Sequence, residues 1–253
     1  MAIRTVWGGP ITEYEREEAR QIQLSLLPAG PLAAPSHEVA FRFSPFGGVG
    51  GDFADFFMLP DGMLGLYMGD VVGKGLSAAL YASLVMGLLR GIHKEGTDPA
   101  AALAVLNKRM LVRPVVGRFA VTLYATFDPA SRILTFANAG LPLPLIASKS
   151  GCTALGDGGL PSGLFPGASY ENYSIQLAPG DSVLFASDGL HELRDRYDQD
   201  FSRDRLAEIW RRSYGASADQ SLGFLFEEAR AFSEDGSEQR DDITALVLRV
   251  PAQ

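Results

Sequence analysis

Val49-Gly50-Gly51-Asp52-Phe53-Ala54-Asp55-Phe56-Phe57-Met58-Leu59-Pro60-Asp61-Gly62-Met63-Leu64-Gly65-Leu66-Tyr67-Met68-Gly69-Asp70-Val71-Val72-Gly73-Lys74-Gly75 is the stretch whose reading decides the fold. Two apolar runs, residues 52–59 and 63–68, flank Pro60-Asp61-Gly62, which favours a tight turn, so the segment reads as a β-hairpin. Asp52 opens the first run and Asp70 follows the second, each beside a glycine. Two later segments repeat the pattern. Ser187-Asp188-Gly189 ends an apolar run at 182–187, and Arg240-Asp241-Asp242-Ile243-Thr244 leads into another at 243–250. A single Gly-Asp or Asp-Gly is a common turn and signals nothing. Carboxylates at four strand ends, far apart in sequence, are what a fold needs to build one oxygen-rich metal site.

The rest of the chain frames that hairpin. Residues 12–27 read as a helix, with Thr12 as its cap and Glu15 completing a capping box. Tyr14, Ile22 and Leu26 fall on one face, and Pro28 ends it. Residues 29–35, rich in Pro, Ala and Gly, read as a linker. This divides the chain into a helix and proline-rich joint over 1–35 and a larger domain over 36–253. The helix packs either on its own domain or on a partner helix. Residues 76–93 are apolar on most faces and predict a helix largely buried between layers. Asp98 caps a second helix with Pro99 at its first position. Further strands are expected at 39–43, 119–127, 133–138, 143–147 and 173–177, and further helices at 203–212 and 219–233. Hairpin-linked strands interrupted by helix pairs predict an α+β fold, with antiparallel sheets and helices packed outside.

The 253 residues, 47% of them hydrophobic, suffice for one substantial core. A net charge of −8 argues against nucleic acid or an anionic membrane as partner. No stretch reads as a membrane span of ~20 apolar residues. Residues 1–10 lack the apolar core of a leader. The single cysteine, Cys152, excludes an internal disulfide and a thiolate cluster, and no activating base stands near it in sequence. A cytoplasmic setting without a membrane is the expectation.

Mg²⁺ and Mn²⁺ are hard ions that prefer carboxylate, carbonyl and water oxygens. Two of them, roughly 3.5–4 Å apart, can acidify a shared water and clamp a phosphoryl group. Asp52, Asp70, Asp188 and either Asp241 or Asp242 have the residue type and placement for such a pair. Neighbouring glycines let backbone and water approach closely.

These segments also carry a resemblance. Residues 49–57, Gly69-Asp70-Val71-Val72-Gly73-Lys74-Gly75 with Ser77-Ala78-Ala79-Leu80, Asn138-Ala139-Gly140, Gly163-Leu164-Phe165-Pro166, Ser187-Asp188-Gly189-Leu190 and Asp241-Asp242-Ile243-Thr244 resemble, in order, the motifs of the SpoIIE/RsbU branch of PPM-type serine/threonine phosphatases. Gln21-Ile22-Gln23-Leu24-Ser25-Leu26-Leu27-Pro28 resembles the segment that introduces this domain. The resemblance implies a four-layer α-β-β-α sandwich, two antiparallel sheets flanked by helix pairs. It implies hydrolysis of phosphoserine or phosphothreonine in a protein, by a metal-activated water and with two Mn²⁺ or Mg²⁺ ions. The implied ligands are Asp52, Asp70 as the bridging carboxylate, the Val71 carbonyl, Asp188, and one of Asp241 and Asp242, with Asp241 at the position that matches. The implied substrate is a phosphorylated anti-sigma-factor antagonist of STAS type, in sigma-factor regulation by partner switching. The implied control is by a sensor or activator protein, or a homodimer, acting through the N-terminal helix. Leu141 and Val72 depart from many relatives, at positions that are not ligands.

Competing motifs fail on spacing. Gly69–Gly75 is short by one residue for a phosphate-cradling loop, and no Gly-x-Ser-x-Gly elbow is present. His191 is a candidate acid for the leaving oxygen, against a plain reading as a surface helix residue. Arg42 is a weak candidate for phosphate, against a solvated strand charge. A catalytically silent binding module of the same fold is the alternative function.

Overall fold

Alternation of side chains along each strand decides which core each residue joins. The computed structural model describes residues 11–93, 98–233 and 239–252; the reading of residues 1–10 lies outside them. In chain order the elements are α1 (Glu13–Leu26), β1 (Leu32–Ala33), β2 (Glu38–Ser44), β3 (Phe53–Met58), β4 (Leu64–Val71), α2 (Gly75–His93), α3 (Pro99–Met110), β5 (Ala120–Asp128), β6 (Ile133–Ala139), β7 (Leu145–Ser148), β8 (Gly151–Ala154), β9 (Tyr173–Gln176), β10 (Ser182–Ala186), α4 (Asp188–His191), α5 (Arg203–Arg212), α6 (Ala218–Ser233) and β11 (Ile243–Arg249). They form two antiparallel sheets, ordered β1-β2-β11-β10-β7-β8 and β3-β4-β5-β6-β9. On β4, Leu64, Leu66 and Met68 point into the core between the sheets, and Tyr67 and Val71 point outward under α2 and α3. On β11, Leu246 and Leu248 join the same inter-sheet core, while Ala245 and Val247 face α5 and α6. The result is the four-layer sandwich with helix pairs outside.

Local chemistry sets the helix ends. Thr12 and Glu15 form the capping box that starts α1. Asp98 accepts from the Ala101 amide at 2.8 Å to start α3, with Pro99 next.

Four expectations are corrected. The segment read as a linker contributes β1 to a sheet edge, pairing with β2. Strand β8 follows a turn that carried too little apolar pattern to be read. Tyr14 and Ile22 of α1 face solvent, and its buried residue is the polar Gln23. Helix α2 is buried on one side only: Val85, Leu89 and Ile92 pack inward, while Leu80 and Leu84 are exposed. Its 18-residue window Gly75–Ile92 also reaches the length and apolarity of a membrane span, at a mean hydropathy of 1.5, which the sequence reading did not recognise. Packing on the sheet accounts for the apolar residues of its inner face.

Antiparallel pairing brings the start of one strand beside the end of its neighbour. Phe53 pairs with Gly69, which sets Asp52 next to Asp70. Ala186 pairs with Ala245, which sets Asp188 beside the Asp241-Asp242 segment. Each sheet thus contributes two aspartates to one end of the sandwich. Leu246→Ala, at the fully buried centre, is expected to cost about 2–5 kcal/mol in urea unfolding. Leu84→Ala, on the open face of α2, is expected to change stability by about 0.5 kcal/mol or less.

Candidate metal centre

Glycines make the close approach of the four segments possible. A β-carbon on Gly51 would stand 2.7 Å from the Val71 carbonyl oxygen and 2.8 Å from Asp70 Oδ1. One on Gly189 would stand 1.9 Å from the Asp242 carbonyl oxygen. Neither position tolerates a side chain, so the Gly-Gly-Asp and Ser-Asp-Gly patterns are packing requirements of this end of the sandwich. Ser187 knits the second pair: its amide donates to the Thr244 carbonyl at 2.9 Å, and its Oγ accepts from the Thr244 amide at 3.0 Å.

The carboxylates crowd one another. Asp52 is 1% exposed, and its Oδ2 has no hydrogen-bond partner among the described residues. Burial first, and then the charge of Asp70, push its pKa well above the ordinary carboxylate range. Asp70 is pushed up to about 7, by burial and then by Asp188, Asp241 and Asp242. Asp188 is raised by burial and by Asp241, with Lys74 pulling the other way. An orphaned buried carboxylate oxygen and mutual repulsion are what an all-oxygen site for a hard divalent cation presents. The residues fit Mn²⁺ or Mg²⁺.

Asp241 and Asp242 are not equivalent. Asp242 is buried, and its carboxylate accepts the Phe46 amide at 2.7 Å and the Gly51 amide at 2.6 Å. It thereby fixes the loop that delivers Asp52. Asp241 Oδ1 accepts the Asp242 amide at 2.9 Å, and its Oδ2 pairs with Lys74 Nζ at 2.8 Å. Lys74 also donates to the Arg240 carbonyl. Both oxygens of Asp242 are engaged by backbone amides, whereas Asp241 meets one amide and a lysine. Among the described residues no three His, Cys, Asp or Glu stand at closed ligand spacing. The carboxylates are gathered, with Asp241 turned to Lys74 and Asp242 to backbone.

The remaining candidates show other roles. His191 has its pKa lowered by burial and by the Arg203 charge, so it is a neutral imidazole at pH 7 and a poor acid. Arg42 pairs with Asp219 at the start of α6. Cys152 lies on β8, and burial pushes its thiol up to about 11. Asn138 staples the Leu141 backbone by hydrogen bonds of 2.8 and 2.9 Å, a structural role for its motif.

The sequence reading missed two residues. Arg118 donates to the Val72 carbonyl and, at 2.9 Å, to Ser77 Oγ, so it braces the loop after Asp70. Gln23 of α1 donates from Nε2 to the Gly50 carbonyl at 2.7 Å and accepts the Gly50 amide at 3.1 Å. Arg90 adds a second attachment, bridging Asp55 at 2.9 Å and the Leu26 carbonyl at 2.5 Å. Helix α1 is therefore docked on its own domain. The available sequence signal for Gln23 was its place in the segment over residues 21–28.

A family model described as Stage II sporulation protein E (SpoIIE) matches residues 60–251, more than half of the chain. The chain belongs to the SpoIIE family. Its aspartates at 70, 188 and 241 lie within the matched span, and Asp52 lies before it. Among curated relatives, this SpoIIE-family chain is 26% identical over 94% of its length to Protein IcfG of Synechocystis sp., of which it spans 42%. It is 24% identical over 93% of its length to Phosphoserine phosphatase RsbU of Bacillus subtilis, of which it spans 70%. Among solved structures, the SiaA-PP2C domain of Pseudomonas aeruginosa superposes with a TM-score of 0.83 at 22% identity, covering 93% of this chain and 96% of that one. The fold is that of the PPM phosphatases, and the enzyme class of the family is protein serine/threonine phosphatase.

The raised pKa of Asp70 gives a pH test in chelator. A carboxylate whose folded pKa lies above its unfolded value contributes stability below about pH 4 that is lost as pH rises towards 7. Asp70→Asn removes that loss. Its melting temperature is expected to gain on the wild type by about 2 °C or more between pH 5 and pH 7.5. Parallel melting curves would contradict the raised pKa.

Proposed function

We propose that the domain hydrolyses phosphoserine or phosphothreonine in a protein substrate at the Asp52–Asp70–Asp188–Asp241 cluster, with two Mn²⁺ or Mg²⁺ ions. The observation that carries this reading is the convergence of four strand ends on mutually repelling carboxylates, one with an unpartnered buried oxygen. When bound, the ions would supply an acidified water and neutralise charge on the phosphoryl group. Asp52, Asp70, the Val71 carbonyl, Asp188 and Asp241 would hold them. Asp242 positions Asp52 through the Gly51 amide, and Gly51 leaves room for the Val71 carbonyl. Cys152 stays a protonated thiol on a distant sheet edge and His191 a neutral imidazole, so neither supports covalent catalysis or acid transfer. The phosphoserine substrate of the RsbU-like relatives suggests a STAS-type phosphoprotein here, within a partner-switching pathway.

Helix α1 supports a mode of control. Gln23 joins it to Gly50, two residues before Asp52, so displacement of α1 would disturb that ligand. The exposed Tyr14 and Ile22 give a sensor protein or a second copy a surface to grip.

Turnover of p-nitrophenyl phosphate should require Mn²⁺ or Mg²⁺ and fall by about 100-fold or more in Asp188→Asn, as expected when one charge stabiliser at a reacting centre is removed. Full turnover by that variant, or no metal-dependent turnover by the wild type, would leave the silent binding module as the better reading. Gln23→Ala should weaken Mn²⁺ binding in calorimetry by about 3–10-fold, the worth of one net hydrogen bond. Unchanged affinity would remove the role given to α1.

A further inference from the structure

The surface beside the catalytic loop has a chemistry unlike the rest of the chain. The protein carries a net charge of −8, yet no Asp or Glu occurs between Asp98 and Asp128. Within that span lie Lys108, Arg109, Arg113 and Arg118. Val112 and Val116, 74% and 99% exposed, stand among them. The facing loop adds exposed Leu164 and Phe165 and is uncharged from Gly158 to Ala168.

The two segments are fastened together. Asn107 donates to the Phe165 carbonyl at 3.0 Å and accepts the Gly163 amide at 2.7 Å. Ala120 and Ser162 exchange backbone hydrogen bonds of 3.0 and 2.8 Å. Between them runs an open groove of about 420 Å³, lined by Lys108, Leu111, Val112, Pro166 and Gly167 among others. The surface also reaches the acidic cluster. The Arg118 amide donates to Val115, and its guanidinium holds Val72, two residues after Asp70.

We propose that this basic and apolar surface, from the end of α3 through residues 112–118 and 160–168, docks the protein substrate, and that it selects an acidic phosphoprotein. The proposal rests on the phosphatase reading above. Charge decides the occupant, because a basic rim in an acidic protein attracts acidic surface and opposes basic surface. Position supports it, because the Val72–Arg118 contact ties this surface to the loop that follows Asp70. Exposed valines and Phe165 supply the apolar centre that such an interface needs inside a charged rim.

The test uses fluorescently labelled, serine-phosphorylated β-casein as an acidic phosphoprotein probe, with p-nitrophenyl phosphate as a substrate too small to reach the surface. Lys108→Glu/Arg113→Glu and Val112→Ser/Val116→Ser are compared with the wild type. Both double variants should bind casein about 10-fold or more weakly by anisotropy at low salt. They should keep p-nitrophenyl phosphate turnover within about twofold, since neither removes a group at the reacting centre. Unchanged casein binding would overturn the proposal. So would variants that change sedimentation from dimer to monomer, since the surface would then belong to a second copy. Casein binding that obeys these expectations with no turnover by the wild type would fault the phosphatase reading and leave the docking surface standing.

Discussion

Repulsion among carboxylates at one end of the sandwich is the constraint around which the rest of the structure is arranged. Burial first, and then neighbouring carboxylate charge, raises the pKa values of Asp52, Asp70 and Asp188, in a setting where like charges are costly. Nothing in folding alone would gather them. The fold compensates in part: Lys74 pairs with Asp241, and the backbone amides of Phe46 and Gly51 satisfy Asp242. Asp52 Oδ2 is left without a partner. A bound divalent cation would answer the remaining demand and link stability to its binding.

Antiparallel topology is what makes the gathering possible. Each sheet offers one strand start and one strand end at the same edge, through β3 and β4 in one sheet and β10 and β11 in the other. Facing the two sheets across a shared core brings both edges to the same rim. Glycines 51 and 189 then allow contacts that any β-carbon would block. The same rim is where α1 is tied down through Gln23 and where the basic surface around Arg118 begins. The proposed sites of control, chemistry and substrate selection are thus neighbours through single side chains.

Much of this was legible in the sequence, because apolar runs bounded by turn residues mark buried strands directly. The hairpin at 53–71, the capped starts of α1 and α3, and the four strand-end aspartates follow from local pattern. What escaped depends on tertiary contact. Strand β1 is two residues long and exists because β2 offers it an edge. The exposed side of α2 could not be told from its buried side, since Leu80 and Leu84 are as apolar as Val85 and Leu89. The division of labour between Asp241 and Asp242 turns on which carboxylate meets two backbone amides, a matter of loop geometry that adjacent identical residues conceal. Arg118 carries no motif of its own, and Gln23 sits unmarked within the segment over residues 21–28; only their partners reveal their roles.

Anomalous diffraction from crystals grown with Mn²⁺ tests the central claim most directly. The account predicts two manganese peaks enclosed by Asp52, Asp70, the Val71 carbonyl, Asp188 and Asp241, with Lys74 displaced from Asp241 and Asp242 still holding the Phe46 and Gly51 amides. No peak within that ring at saturating Mn²⁺, or a peak held by Asp242 with Asp241 turned away, would contradict it.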